Sequence, residues 1–314
     1  MQQHIADTIT LKFGGYQKPA SIHNQAALHF GDVLRERLGA RIDFQLTGDV
    51  LALGRQSGDL PLMVESGELS CCYISTVRFT RWVPELAVID LPFVVRDRAS
   101  VQRAFNGASG TLGAFFKRRF AESSPFRLLG LWDNGFRHFT NKVRTIRTPA
   151  DCRGLKIRTQ MSASHGEALA ALGFVPIPAD VKEFVEQIGG ERFDAQDNPL
   201  TNIYNFGVHK YHRHITMSGH FFGASAMICN AAHYAAWPAE VRLAVDEAAG
   251  IATARQHKLA AEEDVLIRAR LNPHDNEIVE LTPVERAAFV TAMAPVMAKY
   301  RGRLDARLFE MLAA

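Results

Sequence analysis

Long apolar runs are missing from this chain, and none reaches the ~18 consecutive apolar residues that a membrane-spanning helix needs. Residues 1–7 have neither the basic segment nor the apolar core of a signal peptide, so no leader is expected in this chain. Such a sequence fits a cytoplasmic protein, or an exported one whose leader has been removed. Composition alone leaves both alternatives open.

An excess of one charge sign is also missing. The 36 Lys and Arg residues are nearly balanced by 33 Asp and Glu, and the two signs are interleaved, so we expect no nucleic-acid partner. Cysteine is scarce and follows no metal or redox spacing. The four residues are Cys71, Cys72, Cys152 and Cys229. We predict buried thiols, with a disulfide between Cys152 and Cys229 left open.

Catalytic signatures are missing as well. The chain contains no G-x-S-x-G elbow, no phosphate-binding P-loop, no G-x-G-x-x-G and no H-E-x-x-H. Three histidines lie close together in 209–214, but two cations lie among them and no local carboxylate or thiolate offsets these charges. We therefore predict no metal, no cofactor and no enzymatic activity.

What the chain does contain is an alternation of strand and helix patterns over its first 230 residues. A length of 314 residues allows two domains with their own cores. The predicted strands are near 9–13, 41–46, 69–74, 126–132, 215–218 and 222–229, and the predicted helices are near 24–38, before Gly67, and at 162–172. This alternation predicts an α/β fold with parallel sheets. After Pro238 the pattern is helical only, with one long helix over about 239–271 and a capping box at Thr282 that opens another.

The most informative residue is Arg158, which ends the segment 148–158. Thr148 is a natural N-cap followed by proline, and Gly154 can end the short helix, so Leu155–Ile157 is predicted as a strand. Open α/β sheets bind ligands at the carboxyl ends of their strands. A guanidinium group there matches a carboxylate with two parallel hydrogen bonds.

Two further polar groups are predicted near ends of strands. Arg137 lies in the segment 133–137, after the strand that ends at Trp132, and Asn198 lies in the polar turn 194–199. Two arginines and an amide that converge on one crevice would bind an organic anion. Each charge-assisted hydrogen bond would contribute about 1.5–3 kcal/mol.

Five motifs in this order resemble the dicarboxylate-type (DctP) solute-binding proteins of TRAP transporters, the tripartite ATP-independent periplasmic systems. The motifs are Leu91-Pro92-Phe93, Asn134-Gly135-Phe136-Arg137, the segment 148–158, Ala171-Leu172-Gly173 and the segment 194–199. The likeness runs from about Leu11 to the C-terminal helices. It implies an α/β, two-lobed periplasmic protein with a ligand cleft between the lobes and a long bracing helix.

The resemblance also implies roles for single residues. Arg158 would clamp the ligand carboxylate, Arg137 would assist, and Asn198 would contact the ligand. The remaining predicted ligand-binding residues are Ser75, Tyr16, Gln160 and Phe221. The family turn D-G-Q-E-N-P is D-A-Q-D-N-P here, which puts loop detail in question. Ser75 is neutral where amine-binding members can carry a carboxylate, so the expected ligand has no obligatory positive charge.

The expected protein is a monomer that closes on a small organic acid and delivers it to TRAP permease subunits in the membrane. We expect one lobe to take 1–134 and 224–263, and the other 135–223. The helices of 264–314 are expected to pack mainly on the second lobe. Two alternatives remain at this point: a cytoplasmic α/β enzyme acting on carboxylates, and the ligand-binding module of a sensor.

Overall fold

A computed structural model describes residues 8–313 as one mixed sheet surrounded by helices. Its strands are β1 (Ile9–Gly14), β2 (Ile42–Thr47), β3 (Cys71–Ser75), β4 (Phe126–Asn141), β5 (Lys156–Thr159), β6 (Val175–Pro178), β7 (Ala195–Pro199), β8 (His214–Asn230) and β9 (Glu277–Glu280). Its α-helices are α1 (Ile22–Leu38), α2 (Leu60–Glu65), α3 (Arg98–Phe105), α4 (Leu112–Ser123), α5 (Ala163–Ala171), α6 (Val181–Glu186), α7 (Leu200–Asn205), α8 (Ala231–Ala236), α9 (Ala239–Arg270), α10 (Pro283–Arg301) and α11 (Ala306–Ala313).

The strands follow the spatial order β2-β1-β3-β8-β4-β7-β5-β6, and β9 pairs with β8. β1 is parallel to β2 and β3, and β5 is parallel to β6 and β7. β4 and β8 are antiparallel to each other and join these two parallel groups. The expectation of parallel sheets was therefore wrong for the centre of the molecule, because two long strands cross between the lobes in opposite directions.

β8 replaces two predicted strands, 215–218 and 222–229, because the pairing with β4 continues on both sides of the Gly219-His220 pair that separated them. β4 likewise runs on past Trp132 instead of turning. Its register with β8 shifts between Asp133 and Gly135, and Gly135 has a φ of 98°. This β-bulge accommodates an asparagine–glycine pair that the sequence pattern presents as a turn.

β7 corrects the prediction of a polar turn at 194–199. Residues 195–199 pair with β4 on one side and β5 on the other, and all five are buried. Their polar side chains are not exposed to solvent: Gln196 bonds to Thr140, Asp197 pairs with Arg137, and Asn198 lines the cleft. Polarity alone therefore misled the sequence-based assignment here.

The helices pack on the sheet and on one another. α9 packs along α1 and β4, α10 packs on α5, and α11 packs on α3 and α4. The predicted capping box at Thr282 is present at the start of α10. Within 8–313, no helix has the length and apolarity needed to cross a membrane. The four cysteines are buried free thiols, as predicted, and the alternative disulfide between Cys152 and Cys229 is not formed.

Candidate functional site

A cavity lies between the two parallel strand groups, beside the crossing strands. Its empty volume, mouth included, is about 400 Å³. The lining residues are Tyr16, Ser57, Ile74, Ser75, Arg78, Asn134, Arg137, Arg158, Gln160, Val181, Asn198 and Asn202. Six of the seven residues predicted from the sequence therefore meet in one place, although they come from five separate parts of the chain.

Local sequence places Arg158 as expected. Thr148 and Asp151 form a capping box on a short 3₁₀ turn, and Gly154 then adopts a φ of 78°. β5 follows and carries Arg158 between two parallel neighbours, β6 and β7. The residue consequently reaches the cleft from the interior of the sheet, and only 4% of it is exposed.

The Arg158 guanidinium has no carboxylate within salt-bridge distance among the described residues. Its Nε and Nη2 both donate to the carbonyl oxygen of Ala179, at 3.0 and 2.7 Å. Burial, together with the nearby charge of Arg137, lowers the pKa of Arg158 to about 10, which leaves it charged at neutral pH. With Nη1 outside these bonds, the group is a buried cation with donors to spare.

Arg137 is buried too, but it already has a partner. Its Nε donates to Asp197 Oδ2 at 2.5 Å, and its Nη2 donates to the backbone oxygen of Asp197. Burial alone would raise the pKa of Asp197, but the charge of Arg137 and the His220 ring, whose Nε2 lies 3.4 Å from Oδ2, hold it well below its usual range. The positive charge of Arg137 is thus neutralised within the protein.

Amide and hydroxyl groups complete the walls. Asn198 donates to Gln196 at 2.5 Å and accepts from Asn202 at 3.2 Å. Ser75 Oγ donates to Gln160 Oε1 at 3.1 Å, which links β3 to the segment after β5 across the cleft. Tyr16 is buried, and burial raises the pKa of its phenol, so the group stays neutral.

Phe221 does not line the cavity. Its ring stacks on His165 with the centroids 4.0 Å apart, within a second core around β5 and α5. The assignment of Phe221 as a ligand contact is therefore corrected to a packing role.

The structure also adds residues that the sequence reasoning missed. Arg78 follows β3 in a 3₁₀ turn, three residues after Ser75, and Nη2 of its guanidinium lies 2.7 Å from Oδ2 of Asp180. An arginine just past a strand end was the available signal for Arg78. No sequence signal was available for Asp180, because its partners Ser57 and Arg78 are more than 100 residues away in sequence.

Together, these features describe a site that is suited to binding a small molecule. A buried cation, several amides and hydroxyls and a closed cleft between two lobes suit an organic anion. Within the described part of the chain, no cluster of three or more His, Cys, Asp or Glu side chains could hold a metal ion. The fold and the site together define the class of two-lobed solute-binding proteins.

Residues 13–303 match the family described as bacterial extracellular solute-binding protein, family 7 (DctP). The chain belongs to this family, whose members are solute-binding proteins of transport systems. A solute-binding protein of Verminephrobacter eiseniae is 27% identical over 283 residues, which cover 90% of this chain and 82% of the relative.

Two solved structures share the fold. A TRAP periplasmic solute-binding protein from Shewanella oneidensis with bound succinate superposes with a TM-score of 0.90 at 23% identity, covering 98% of both chains. The sugar acid binding protein DctPAm from Advenella mimigardefordensis in complex with galactonate gives a TM-score of 0.91 at 20% identity, covering 98% of this chain and 97% of the other. The two-lobed α/β class predicted from the sequence is confirmed.

Proposed function

We propose that this protein captures a small organic acid in the periplasm through Arg158 and delivers it, as a monomer and without chemical change, to TRAP permease subunits. The observation that carries the proposal is the state of Arg158. It is a buried cation whose protein partner is a neutral carbonyl oxygen, that of Ala179. A ligand carboxylate would supply the missing negative charge through charge-assisted hydrogen bonds.

The other lining residues take supporting roles in this proposal. Arg137 holds β4 to β7 through its ion pair with Asp197. Asn198, Gln160, Ser75 and Tyr16 surround the remainder of the ligand with neutral hydrogen-bonding groups. This division would let one residue supply most of the affinity while the others select the shape of the acid.

Closure of the cleft would couple binding to delivery. Ser75 and Gln160 meet across the cleft, and Gln17 donates to Asn202 at 2.9 Å between the β1 loop and α7. Such contacts exist only when the lobes approach each other, so a ligand that fills the cleft favours the closed state. We propose lobes of 1–134 with 224–263 and of 135–223, and a permease that recognises the closed form.

Relatives support the ligand class. The structures from Shewanella oneidensis and Advenella mimigardefordensis hold succinate and galactonate, and both ligands are carboxylates. These two acids differ in length, in hydroxylation and in the number of carboxylates. Both acids have at least one carboxylate, and one carboxylate is enough to pair with a single buried guanidinium.

A thermal-shift screen against a library of organic acids tests the proposal. An acid present at 100 times its Kd stabilises the folded state by about 2.7 kcal/mol, so a true ligand raises Tm in a concentration-dependent way. Mass spectrometry of the recovered acid tests for turnover. A library in which no acid raises Tm, or a bound acid that is converted, would contradict the proposal.

A further inference from the structure

Three arginines lie along the cavity, but the protein itself neutralises two of them. Arg137 is paired with Asp197, and Arg78 is paired with Asp180. Among residues 8–313, the partner of the Arg158 guanidinium is the Ala179 carbonyl oxygen, and no carboxylate lies within salt-bridge distance. No Asp or Glu is among the lining residues, so the cleft with its two flanking carboxylates carries one excess positive charge. That excess matches one ligand carboxylate and leaves none for a second.

Asp180 is held in place by groups from both sides of the cleft. Its Oδ2 accepts from Ser57 Oγ at 2.8 Å, from the Gly58 amide at 3.1 Å and from Arg78 at 2.7 Å. Its Oδ1 accepts from the amides of Ser57 and Lys182, at 3.2 and 3.0 Å. Side-chain exposure is 8% for Asp180 and 22% for Arg78, so the pair is largely shielded from water.

The rest of the wall favours hydroxyl groups over a second charge. Tyr16, Ser75, Gln160, Asn134 and Asn202 are neutral, and most can both donate and accept hydrogen bonds. The side-chain oxygen of Asn134 is buried and has no hydrogen-bond partner among the residues that the structure describes, and a ligand hydroxyl would supply one. A second ligand carboxylate among such groups would be an unpaired buried charge, which is strongly disfavoured.

From these contacts we propose that Asp180 sets the charge selectivity of the cleft. By neutralising Arg78 it restricts the site to acids with a single carboxylate and a hydroxylated remainder. Asp180 is a positioning residue in this account, because it acts on the ligand through the Arg78 guanidinium. The inference rests on the proposed function and narrows its substrate class.

The test compares matched acids that differ only in whether the far end is a hydroxymethyl group or a carboxylate. The pairs are glycerate with tartronate, 2,4-dihydroxybutanoate with malate, and gluconate with glucarate. Calorimetry of the wild-type protein should give at least tenfold tighter binding of the monocarboxylate in the pair that fits best. In Asp180→Asn, which keeps the shape and the N-cap of α6, Arg78 becomes free, and the preference should shift toward the dicarboxylate by at least tenfold.

Asp180→Glu keeps the negative charge and should retain the wild-type preference. A merely structural role would lower the affinities of both acids together and leave their ratio unchanged, which would overturn the inference. A wild-type protein that prefers the dicarboxylate would also overturn the inference about Asp180. This result can be obtained even if Asp180→Asn does not fold, and it leaves the proposed function standing. Failure of every acid to bind the wild-type protein would instead overturn the proposed function along with this inference.

Discussion

Arg137 and Arg158 lie side by side in the cleft, yet their partners give them different roles. Both were predicted from the sequence to act on the ligand. Arg137 is committed to Asp197, with 2% and 0% of the two side chains exposed. Arg158 has no acidic partner in the described part of the chain and retains unused donors. A sequence pattern can therefore place an arginine at a cleft, but only its contacts decide whether its charge is available.

The buried pair gives a prediction at this scale. Asp197→Asn should lower the free energy of unfolding by about 3–5 kcal/mol, because it leaves the Arg137 charge buried and unpaired. The measurement is urea denaturation at pH 7. The control is Asp305→Asn, since Asp305 pairs with Arg307 at the surface and such pairs contribute about 0–1 kcal/mol. Equal effects of the two changes would contradict the role given to Asp197.

Individual elements differ in how well their sequences predict them. The segment that ends in Arg158 was predicted correctly because a cap, a proline and a glycine specify it locally. The continuous strands β4 and β8 were not predicted, because the bulges that keep them continuous depend on pairing between residues about 90 apart in sequence. Asp180 was not predicted for the same reason, because its partners Ser57 and Arg78 are distant in sequence. Local sequence patterns predicted most secondary-structure elements and most of the site residues. The crossing strands and the pairing of the cleft arginines with carboxylates depend on tertiary contacts, which these patterns do not show.

One side chain of α9 supports the bulge in β4. Gln256 accepts from the Asp133 amide at 2.8 Å and donates to the Asp133 carbonyl oxygen at 2.6 Å, and it is fully buried. It thus satisfies both backbone groups at the position where the register with β8 shifts. The long helix therefore does more than cover the sheet, because it completes the hydrogen bonding of a crossing strand.

Gln256→Leu should consequently cost about 2–5 kcal/mol of unfolding free energy, since it leaves two buried backbone groups unpaired. Lys258→Leu, at an exposed position of the same helix, is the matched control and should change little. Urea midpoints at constant m value measure both. A Gln256→Leu protein as stable as the control would show that the bulge does not depend on α9.

At the scale of the whole molecule, the interior contains many titratable groups. Burial lowers the pKa of His23, His138, His165 and His212 to about 3. An unfolded histidine titrates near 6.5, so their stabilisation is complete above that pH and is lost as the pH falls toward 3. Buried carboxyls act in the opposite direction, and burial raises the pKa of Asp90 to about 7.

A substitution at His23 measures the pH-dependent contribution of one buried histidine to the free energy of unfolding. His23 is fully buried beside Tyr73 and Trp132, and neither ring nitrogen has a hydrogen-bond partner within residues 8–313. His23→Phe removes the titration, so between pH 8 and pH 5 the variant should gain about 2 kcal/mol of unfolding free energy relative to the wild type. Urea denaturation at both pH values measures this gain. Parallel pH profiles would show that His23 is not held neutral by burial.

The central claim, that Arg158 holds the carboxylate of the ligand, is tested most directly by isothermal titration calorimetry with the acid found in the screen. Arg158→Ala should bind that acid at least about 100-fold more weakly, since two charge-assisted hydrogen bonds of about 1.5–3 kcal/mol each are lost and each 1.4 kcal/mol is a factor of ten. Arg55→Ala, which removes an exposed arginine that pairs with Glu68, should bind normally. Full affinity in a folded Arg158→Ala protein would contradict the account.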